Sequence, residues 1–334
     1  MGTYRYLLAV LVLLSHCGYL FHGYNQGVIA VVSFFLISGY VINLLINTHY
    51  QSNKDIFYFY LDRSLRLFPQ FLFYLVATIF LLAFYGEMGV TKTFYKIVIN
   101  LTMVPLNFFA IYNDSFIIVP QSWSLGLEMQ FYLIIPIILA FKLVRKCAWL
   151  SFIFALVAYS QIVNPDYYGY RMISGTLFIF LIGSMLTNPK ENNKTIITLY
   201  LLSIIVFITS IIINRASNIR TIEVLLGLII GLPIVHTLVK KRIKHKIDVI
   251  LGNLSYGVYL NHMMISFFLK KNNIDISNPY SIILIIALST SMSFISYVLI
   301  EKPLYKLRHK VRAHYGREMQ ENIDINTPIQ KSDQ

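Results

Sequence analysis

The strongest constraint on the fold of this chain is a series of apolar segments of about 20 residues, the length that an α-helix needs to cross roughly 30 Å of hydrocarbon. The segments are continuously apolar instead of alternating, which favours helices over the strands of a barrel. They lie at approximately 4–22, 27–46, 67–86, 124–142, 148–163, 170–187, 195–214, 221–239, 249–269 and 280–300. The sequence therefore predicts an all-α, polytopic transmembrane helix bundle of about ten spans.

The composition excludes an ordinary soluble fold. Of the 334 residues, 57% are hydrophobic and 13% are charged, whereas soluble domains have about 45–50% and about 25%. A single soluble core of this length cannot bury so much apolar surface. The chain therefore requires the lipid bilayer as its solvent.

The distribution of Lys and Arg predicts the orientation. With the N-terminus in the cytoplasm, 21 of the 28 Lys and Arg residues fall on the cytoplasmic side and seven on the outer side. This bias indicates an N-in, C-in topology with an even number of spans. It also accounts for the net charge of +13, so we expect membrane lipids and not nucleic acid as the partners of the basic surface.

Two regions lie outside the ten segments. The apolar segment 94–111 contains Pro105 and Asn107, and three interpretations stay open: an interfacial helix, a re-entrant segment or a short span. The polar stretch 313–334 is expected to be a cytoplasmic tail. We therefore expect one transmembrane domain over 1–312 and no appended soluble domain.

The first predicted span contains two ionisable residues, Arg5 and His16. Eleven residues correspond to about three helical turns, so both side chains share a face and are about 16 Å apart along the axis. Ionisable residues at membrane depth usually mark functional sites. The alternative is structural, with Arg5 as a topology anchor and His16 as a hydrogen-bonded packing residue deep in the bundle.

A second candidate site precedes the third predicted span. Arg63 and Arg66 share a helical face, and Pro69 is expected to mark the start of the span. Paired guanidinium groups suit phosphate because each is a planar fork of donors. Arginines beside a span also simply follow the charge rule, so this pattern becomes informative only if Arg5 lies at the same cytoplasmic opening.

A third candidate is a polar stripe in the fourth predicted span, where Ser124, Glu128 and Tyr132 recur at every fourth residue. An unpaired carboxylate at membrane depth is costly, so we expect Glu128 to have a partner, either His16 or Arg171. A purely structural ion pair is the alternative.

Two further patterns indicate packing when each is taken alone. Ser38 and Gly39 are small residues inside the second predicted span, where they permit close approach of helices. In the ninth predicted span, Ser255, Tyr259 and His262 share one face.

Taken together, these motifs resemble one family of membrane proteins. The motifs, in order, are Arg5-x10-His16, Ser-Phe-Phe-Leu-Ile-Ser-Gly-Tyr at 33–40, Arg63-x-x-Arg66-Leu-x-Pro69, Trp123-Ser-Leu-x-x-Glu128 with Tyr132, Leu251-Gly-x-x-Ser-Tyr-x-x-Tyr-Leu-x-His262 and Glu301-Lys-Pro. This order, covering roughly residues 5–304, is similar to that of the acyltransferase family 3 membrane proteins.

The resemblance implies a membrane enzyme of the bacterial inner membrane that transfers an acyl group, usually acetyl. The implied donor is cytoplasmic acetyl-coenzyme A or another short acyl-coenzyme A, used as a co-substrate, with no permanently bound cofactor and no metal. The implied acceptor is a hydroxyl of a cell-envelope or exported glycan, such as O-antigen polysaccharide or a lipid-linked saccharide. The oligomeric state stays open.

The chain departs from the family pattern in two places. The Asp-Gly-Leu-Arg-Gly opening common in the family is Gly2-Thr3-Tyr4-Arg5-Tyr6 here, and Ser33 stands where many members carry an acidic residue. Some members also carry an extracytoplasmic esterase-like domain. We expect the membrane domain of this chain to complete the transfer itself or with a separate partner.

The resemblance and the residue patterns together predict a mechanism. Arg5, Arg63 and Arg66 would bind the phosphates of the donor, and His16 would act as general base or, alternatively, as an acetylated intermediate, with Glu128 orienting it. The remaining candidates are expected to support this site or bind substrate: Ser38, Trp123, Ser124, Tyr132, Arg171, Tyr259 and His262.

A different class of function uses the same residues. A secondary transporter or a lipid-linked sugar flippase could use His16 and Glu128 as a proton relay. The sequence shows neither paired broken helices nor two halves of similar pattern, which disfavours transport.

The orientation yields a direct prediction. A green fluorescent reporter fused after residue 313 should fluoresce, because the predicted topology places this point in the cytoplasm. A fusion near residue 165, in a predicted outer connection, is the control and should remain dark. Bright fluorescence from the control together with a dark fusion after residue 313 would reverse the topology. The arginines predicted to bind the donor would then lie on the outer side of the membrane.

Overall fold

The computed structural model describes residues 1–50, 55–87, 93–109, 116–214, 218–241 and 245–308, and the predicted tail at 313–334 lies outside them. The described part is helical, with one isolated β-bridge between Phe21 and Tyr24. Its α-helices are α1 (Gly2–His16), α2 (Gln26–His49), α3 (Asp55–Phe84), α4 (Thr93–Thr102), α5 (Trp123–Ala140), α6 (Val144–Tyr159), α7 (Ile173–Met185), α8 (Pro189–Asn214), α9 (Ile219–Lys241), α10 (Lys246–Lys271) and α11 (Pro279–Ser296).

Six helical segments of the described part are long and apolar enough to cross a membrane: Gln26–His49, Asp55–Phe84, Pro120–Ala140, Pro189–Ile213, Ile219–Lys241 and Pro279–Arg308. The chain is therefore a multi-pass helical membrane protein, and the predicted all-α class is confirmed. Each of the ten predicted segments overlaps one helix, although α1, α6 and α7 have only 15, 16 and 13 residues. The count of ten and the orientation stay predictions.

The segment predicted at 94–111 does not form a single spanning helix within its described residues. Helix α4 has 10 residues, or about 15 Å of helix, and a 3-10 turn (Val104–Phe108) follows it. The turn packs on α5, where the Gln130 amide donates to Asn107 Oδ1 at 2.7 Å. The Asn107 amide donates to the Arg171 carbonyl at 3.0 Å, so the polar side chain of Asn107 has its hydrogen-bond partners inside the protein.

Close helix crossings fix the frame around the site. Helix α2 packs against α7 with Gly39 and Gly183 at the contact. A Cβ on Gly39 would lie 1.8 Å from the Phe180 carbonyl oxygen, and one on Gly183 would lie 2.0 Å from that of Leu36. The prediction that small residues of the second span permit close approach is therefore confirmed for Gly39.

Helix α1 packs along α10, and its first turn is held by Asp248. The backbone N–H groups of Gly2 and Thr3 donate to the Asp248 carboxylate at 3.0 and 2.8 Å. Partial burial alone would raise the pKa of Asp248, but these hydrogen bonds hold it well below its ordinary value. The carboxylate therefore caps α1 from a neighbouring helix and fixes the depth of Arg5 and His16.

Arg63 and Arg66 lie inside α3, which begins 12 residues before the third predicted span at 67–86. The helix begins at Asp55 and continues through Pro69. It does so because residues 55–66 also have buried partners, with Phe59 and Asp62 fully buried. Near the proline, the Tyr256 hydroxyl donates to the Leu67 carbonyl at 2.9 Å, which joins α10 to α3.

Candidate active site

A cavity of about 130 Å³ lies where α1, α2, α3, α5 and α10 meet. Its polar lining is Arg5, Ser38, Arg63, Arg66, Ser124, Glu128, Tyr132, Ser255, Tyr256 and Tyr259. The rest of the wall is apolar and comes mainly from α2, including Phe34 and Phe35. Three separate sequence motifs, carrying Arg5, the Arg63–Arg66 pair and the α5 stripe, therefore converge on one cavity.

The two arginines of α3 are each paired with a carboxylate. Arg63 forms an ion pair with the adjacent, fully buried Asp62. Arg308 also pairs with Asp62, at 2.9 Å. Arg66 forms an ion pair with Glu301, and its guanidinium carbon lies 5.2 Å from the centre of the Tyr256 ring. Residues from the end of the described chain therefore close over α3.

Arg5 differs from the α3 arginines because its buried Nε atom has no hydrogen-bond partner within the described part of the chain. Arg5 and Arg66 also line a second cavity of about 300 Å³, together with Arg308 and the carboxylate of Glu301. Three guanidinium groups thus face a single carboxylate in this lining. The excess of positive charge and the fork geometry of arginine suit a phosphate-bearing anion.

Glu128 lies on the cavity wall and accepts two hydrogen bonds. Ser38 Oγ donates to its Oε1 at 2.8 Å, and the Tyr132 hydroxyl donates to the same oxygen at 2.5 Å. The expected pairing with His16 or Arg171 is not among its contacts in the described residues, because Arg171 pairs with Asp166 at 3.0 Å. Neutral hydroxyls from α2 and α5 satisfy the carboxylate instead.

His16 pairs with His262 rather than with a carboxylate. His16 Nδ1 lies 2.9 Å from His262 Nε2, and the two ring planes are 19° from parallel with centroids 5.1 Å apart, which is the edge-to-edge geometry of a hydrogen-bonded pair. His262 is fully buried, and its Nδ1 lies 3.2 Å from the Val258 carbonyl oxygen. His16 is the last residue of α1 and is exposed there, and its depth in the membrane stays a prediction. The helix ends there and leaves one edge of the ring open.

Tyr259 connects the cavity to the histidine pair. Its hydroxyl lies 2.7 Å from Ser124 Oγ and donates to the Gln121 carbonyl at 2.9 Å. Its ring contacts the His262 ring edge-on at 6.2 Å. Since α10 carries both Tyr259 and His262 on one face, the cavity and the histidine pair are one helical turn apart along that helix.

Trp123 and Arg171 lie apart from the cavity lining. The Arg171 guanidinium stacks over the Trp123 ring at 4.6 Å, and Tyr170 contacts the same ring edge-on at 4.9 Å. Asp166 joins this cluster by pairing with both Arg171 and Arg220. The cluster therefore ties the connection before α7 to α5 and α9, which is a packing contact.

Sequence reasoning missed three residues that the arginines require: Asp62, Glu301 and Tyr256. Each lies within or beside a motif that was recognised, but none was assigned a partner. The available signal was the cost of burying guanidinium groups, since each buried cation demands a carboxylate or an aromatic face nearby.

The fold and the site define a multi-pass membrane protein with an arginine-lined cavity inside its helical bundle. The family model described as an acyltransferase domain matches residues 3–301. The chain belongs to this family, which confirms the resemblance drawn from its motifs.

Two relatives are informative. An uncharacterized protein of Aquifex aeolicus (strain VF5) is 34% identical over 200 residues, covering 58% of this chain and 90% of that protein. The O-acetyltransferase OatA of Staphylococcus aureus (strain NCTC 8325 / PS 47) is 28% identical over 334 residues, covering 86% of this chain and 54% of OatA. This chain thus spans about half the length of OatA. No solved structure matches the chain significantly.

The contacts of Glu128 predict a difference between two substitutions. Glu128→Gln should leave the thermal unfolding temperature in detergent nearly unchanged, because the amide oxygen still accepts from Ser38 and Tyr132. Glu128→Leu should lower the free energy of unfolding by about 1–3 kcal/mol for each buried hydroxyl left without an acceptor. Equal stability of the Leu variant and the wild type would show that these hydrogen bonds do not hold α2 to α5.

Proposed function

We propose that the chain is a membrane-bound O-acyltransferase, specifically an O-acetyltransferase. It moves an acyl group from cytoplasmic acyl-coenzyme A to a hydroxyl of a cell-envelope or exported glycan. The observation that carries the proposal is the cavity in which Arg5, Arg63 and Arg66 meet the Glu128 carboxylate inside the bundle. Membership of the acyltransferase family and the similarity to OatA support the reaction class.

The proposal includes ten spans in the bacterial inner membrane with both ends in the cytoplasm. The second cavity then opens to the cytoplasm, because its lining includes residues 301–308, which follow the last predicted span. The open edge of His16 lies at the opposite end of α1. Donor and acceptor therefore reach the reaction centre from different sides of the membrane.

The donor binds through its phosphates and its pantetheine arm. Arg5, Arg66 and Arg308 hold the phosphates in the second cavity, where a phosphate takes the place of Glu301 on Arg66. The arm extends through the first cavity over a distance on the order of the 16 Å between Arg5 and His16 along α1. Glu128 lines this path, and its carboxylate accepts hydrogen bonds from amide N–H groups of the arm.

The reaction is a direct transfer with His16 as general base. His16 Nε2 takes the proton of the acceptor hydroxyl while the oxygen of that hydroxyl bonds to the acyl carbon of the thioester. The carbon–sulfur bond breaks, and the coenzyme A thiolate takes the proton back from His16 to leave as the thiol. For this, the Ser124–Tyr259 contact at the end of the cavity has to part, since Tyr259 lies between the cavity and the histidine pair.

The test of the function is transfer of label. Proteoliposomes given acetyl-coenzyme A with a radiolabelled acetyl group and a total envelope glycan fraction should acquire label in the glycan. A His16→Ala variant inserted at equal abundance should lose about 10²–10⁴-fold in rate, the usual contribution of a general base. His236→Ala, on α9 and outside the cavity lining, is the matched control and should retain the rate.

Two results would contradict this proposal. An undiminished rate in the His16→Ala variant would remove His16 from the chemistry. Movement of glycan across the membrane without any acylation would favour the transporter alternative and overturn the enzyme assignment.

The arginine-lined cavities predict selective loss of donor affinity. Arg66→Ala should raise KM for acetyl-coenzyme A about 10-fold or more, because one charge-assisted hydrogen bond contributes about 1.5–3 kcal/mol. The same variant should use acetyl-pantetheine, which has no phosphates, as well as the wild type does. Arg145→Ala removes an exposed arginine of α6 and is the control. An equal loss for both donors would assign Arg66 a structural role only.

A further inference from the structure

The contact between His16 and His262 has a defined direction of hydrogen bonding. A carbonyl oxygen only accepts, so the 3.2 Å contact between His262 Nδ1 and the Val258 oxygen assigns the proton to Nδ1. The Nε2 atom of neutral His262 is then an acceptor. The 2.9 Å contact therefore assigns a proton to His16 Nδ1, which leaves the lone pair of His16 on Nε2.

The opposite arrangement is disfavoured by the same contacts. If His262 donated from Nε2 to His16, the lone pair of its Nδ1 would face the lone pairs of the Val258 oxygen. Because His262 is fully buried, water does not relieve that repulsion. The Val258 carbonyl of α10 thus sets the tautomer of His262. His262 in turn accepts from His16, whose ring also lies close to the Val12 carbonyl of α1.

Burial divides the two histidines into different roles. His262 of α10 is fully buried where that helix packs on α1 and cannot contact a substrate, whereas His16 is exposed. The hydrogen bond between the two rings, whose planes are 19° from parallel, also restricts rotation of the His16 ring. His16, which can reach an acceptor, is therefore held in place by His262, which cannot.

We propose that His262 is a positioning residue that holds His16 in the tautomer with its lone pair on Nε2, ready to accept the proton of the acceptor hydroxyl. This inference rests on the proposed function for its catalytic consequence. When His16 gains a proton on Nε2, its Nδ1–H still donates to His262, so the contact persists through the transfer. In hydrolytic triads a carboxylate performs this task, and here a neutral imidazole anchored on a backbone carbonyl performs it.

The test compares His262→Gln with His262→Leu in lipid nanodiscs. The Gln amide oxygen can replace His262 Nε2 as the acceptor, whereas Leu fills the space without an acceptor. Nitrogen-15 NMR of labelled histidine reports which ring nitrogen of His16 carries the proton, and the His16→Ala spectrum identifies its signals. We expect His16 to be protonated on Nδ1 in the wild type and the Gln variant and to show a mixture in the Leu variant.

The kinetic measurement is independent of the spectroscopic one. His262→Leu should lower kcat for acetyl transfer on the order of 10²-fold or more, since the wrong tautomer in a hydrolytic triad costs up to about 10⁴-fold. Its KM for acetyl-coenzyme A should not change, because the cavity that holds Arg5 and Arg66 does not include His262. His262→Gln should restore most of kcat. His236→Leu on α9 is the control and should alter neither readout.

The outcomes separate this inference from the proposed function. A wild-type His16 protonated on Nε2 would overturn the positioning role whether or not the protein transfers acetyl groups. Absence of acetyl transfer by the wild type would overturn the function, while the tautomer would still be read by NMR. If His262→Leu fails to fold, the spectra of the wild type and the Gln variant decide whether His16 carries its proton on Nδ1. A Gln variant that has the wild-type tautomer but does not recover kcat also contradicts the proposal.

Discussion

The burial of guanidinium groups inside an apolar bundle is the constraint on which the rest of the site depends. A cation at membrane depth is costly unless it is paired. Asp62 pairs with Arg63 and Arg308, and Glu301 pairs with Arg66. These pairs leave the second cavity lined by more guanidinium groups than carboxylates. Such a lining carries a net positive charge, which is the kind that suits a phosphate-bearing anion.

The same ion pairs join parts of the chain that are far apart in sequence. Arg66 and Glu301 are 235 residues apart, and Asp62 and Arg308 are 246 residues apart. The histidine pair and the Asp248 cap likewise connect α1 with α10. The site is therefore assembled from both ends of the described chain, with α5 supplying the wall that carries Glu128. Arg5 and His16 lie towards opposite ends of α1, so the arginine-lined cavity and the histidine pair are at different ends of the same helix.

Helical periodicity located the candidate residues well but not their partners. Arg5, Arg63, Arg66, Ser124, Glu128 and Tyr132 were chosen from helical spacing and from the cost of polar groups at membrane depth, and all of them line the cavity. Spacing succeeds because residues three or four apart share a helical face regardless of the rest of the protein. It failed for Glu128, whose partners Ser38 and Tyr132 include a residue on another helix. It also failed to find the partner of His16, since the contact with His262 depends on how α1 crosses α10.

The sequence by itself determined that the chain lies in a lipid bilayer, that it is helical, which family it belongs to and which helix faces carry polar groups. It could do so because hydrophobicity and helical period are local properties of the chain. Only the tertiary structure decided that Arg63 and Arg66 lie within α3, that Asp62 and Glu301 pair with arginines, and that His16 meets His262. Those contacts depend on the depth and crossing of helices, which are set by close approaches such as Gly39 on α7 and by the Asp248 cap on α1. Pairing between helices is a property of their packing, and a linear pattern does not contain it.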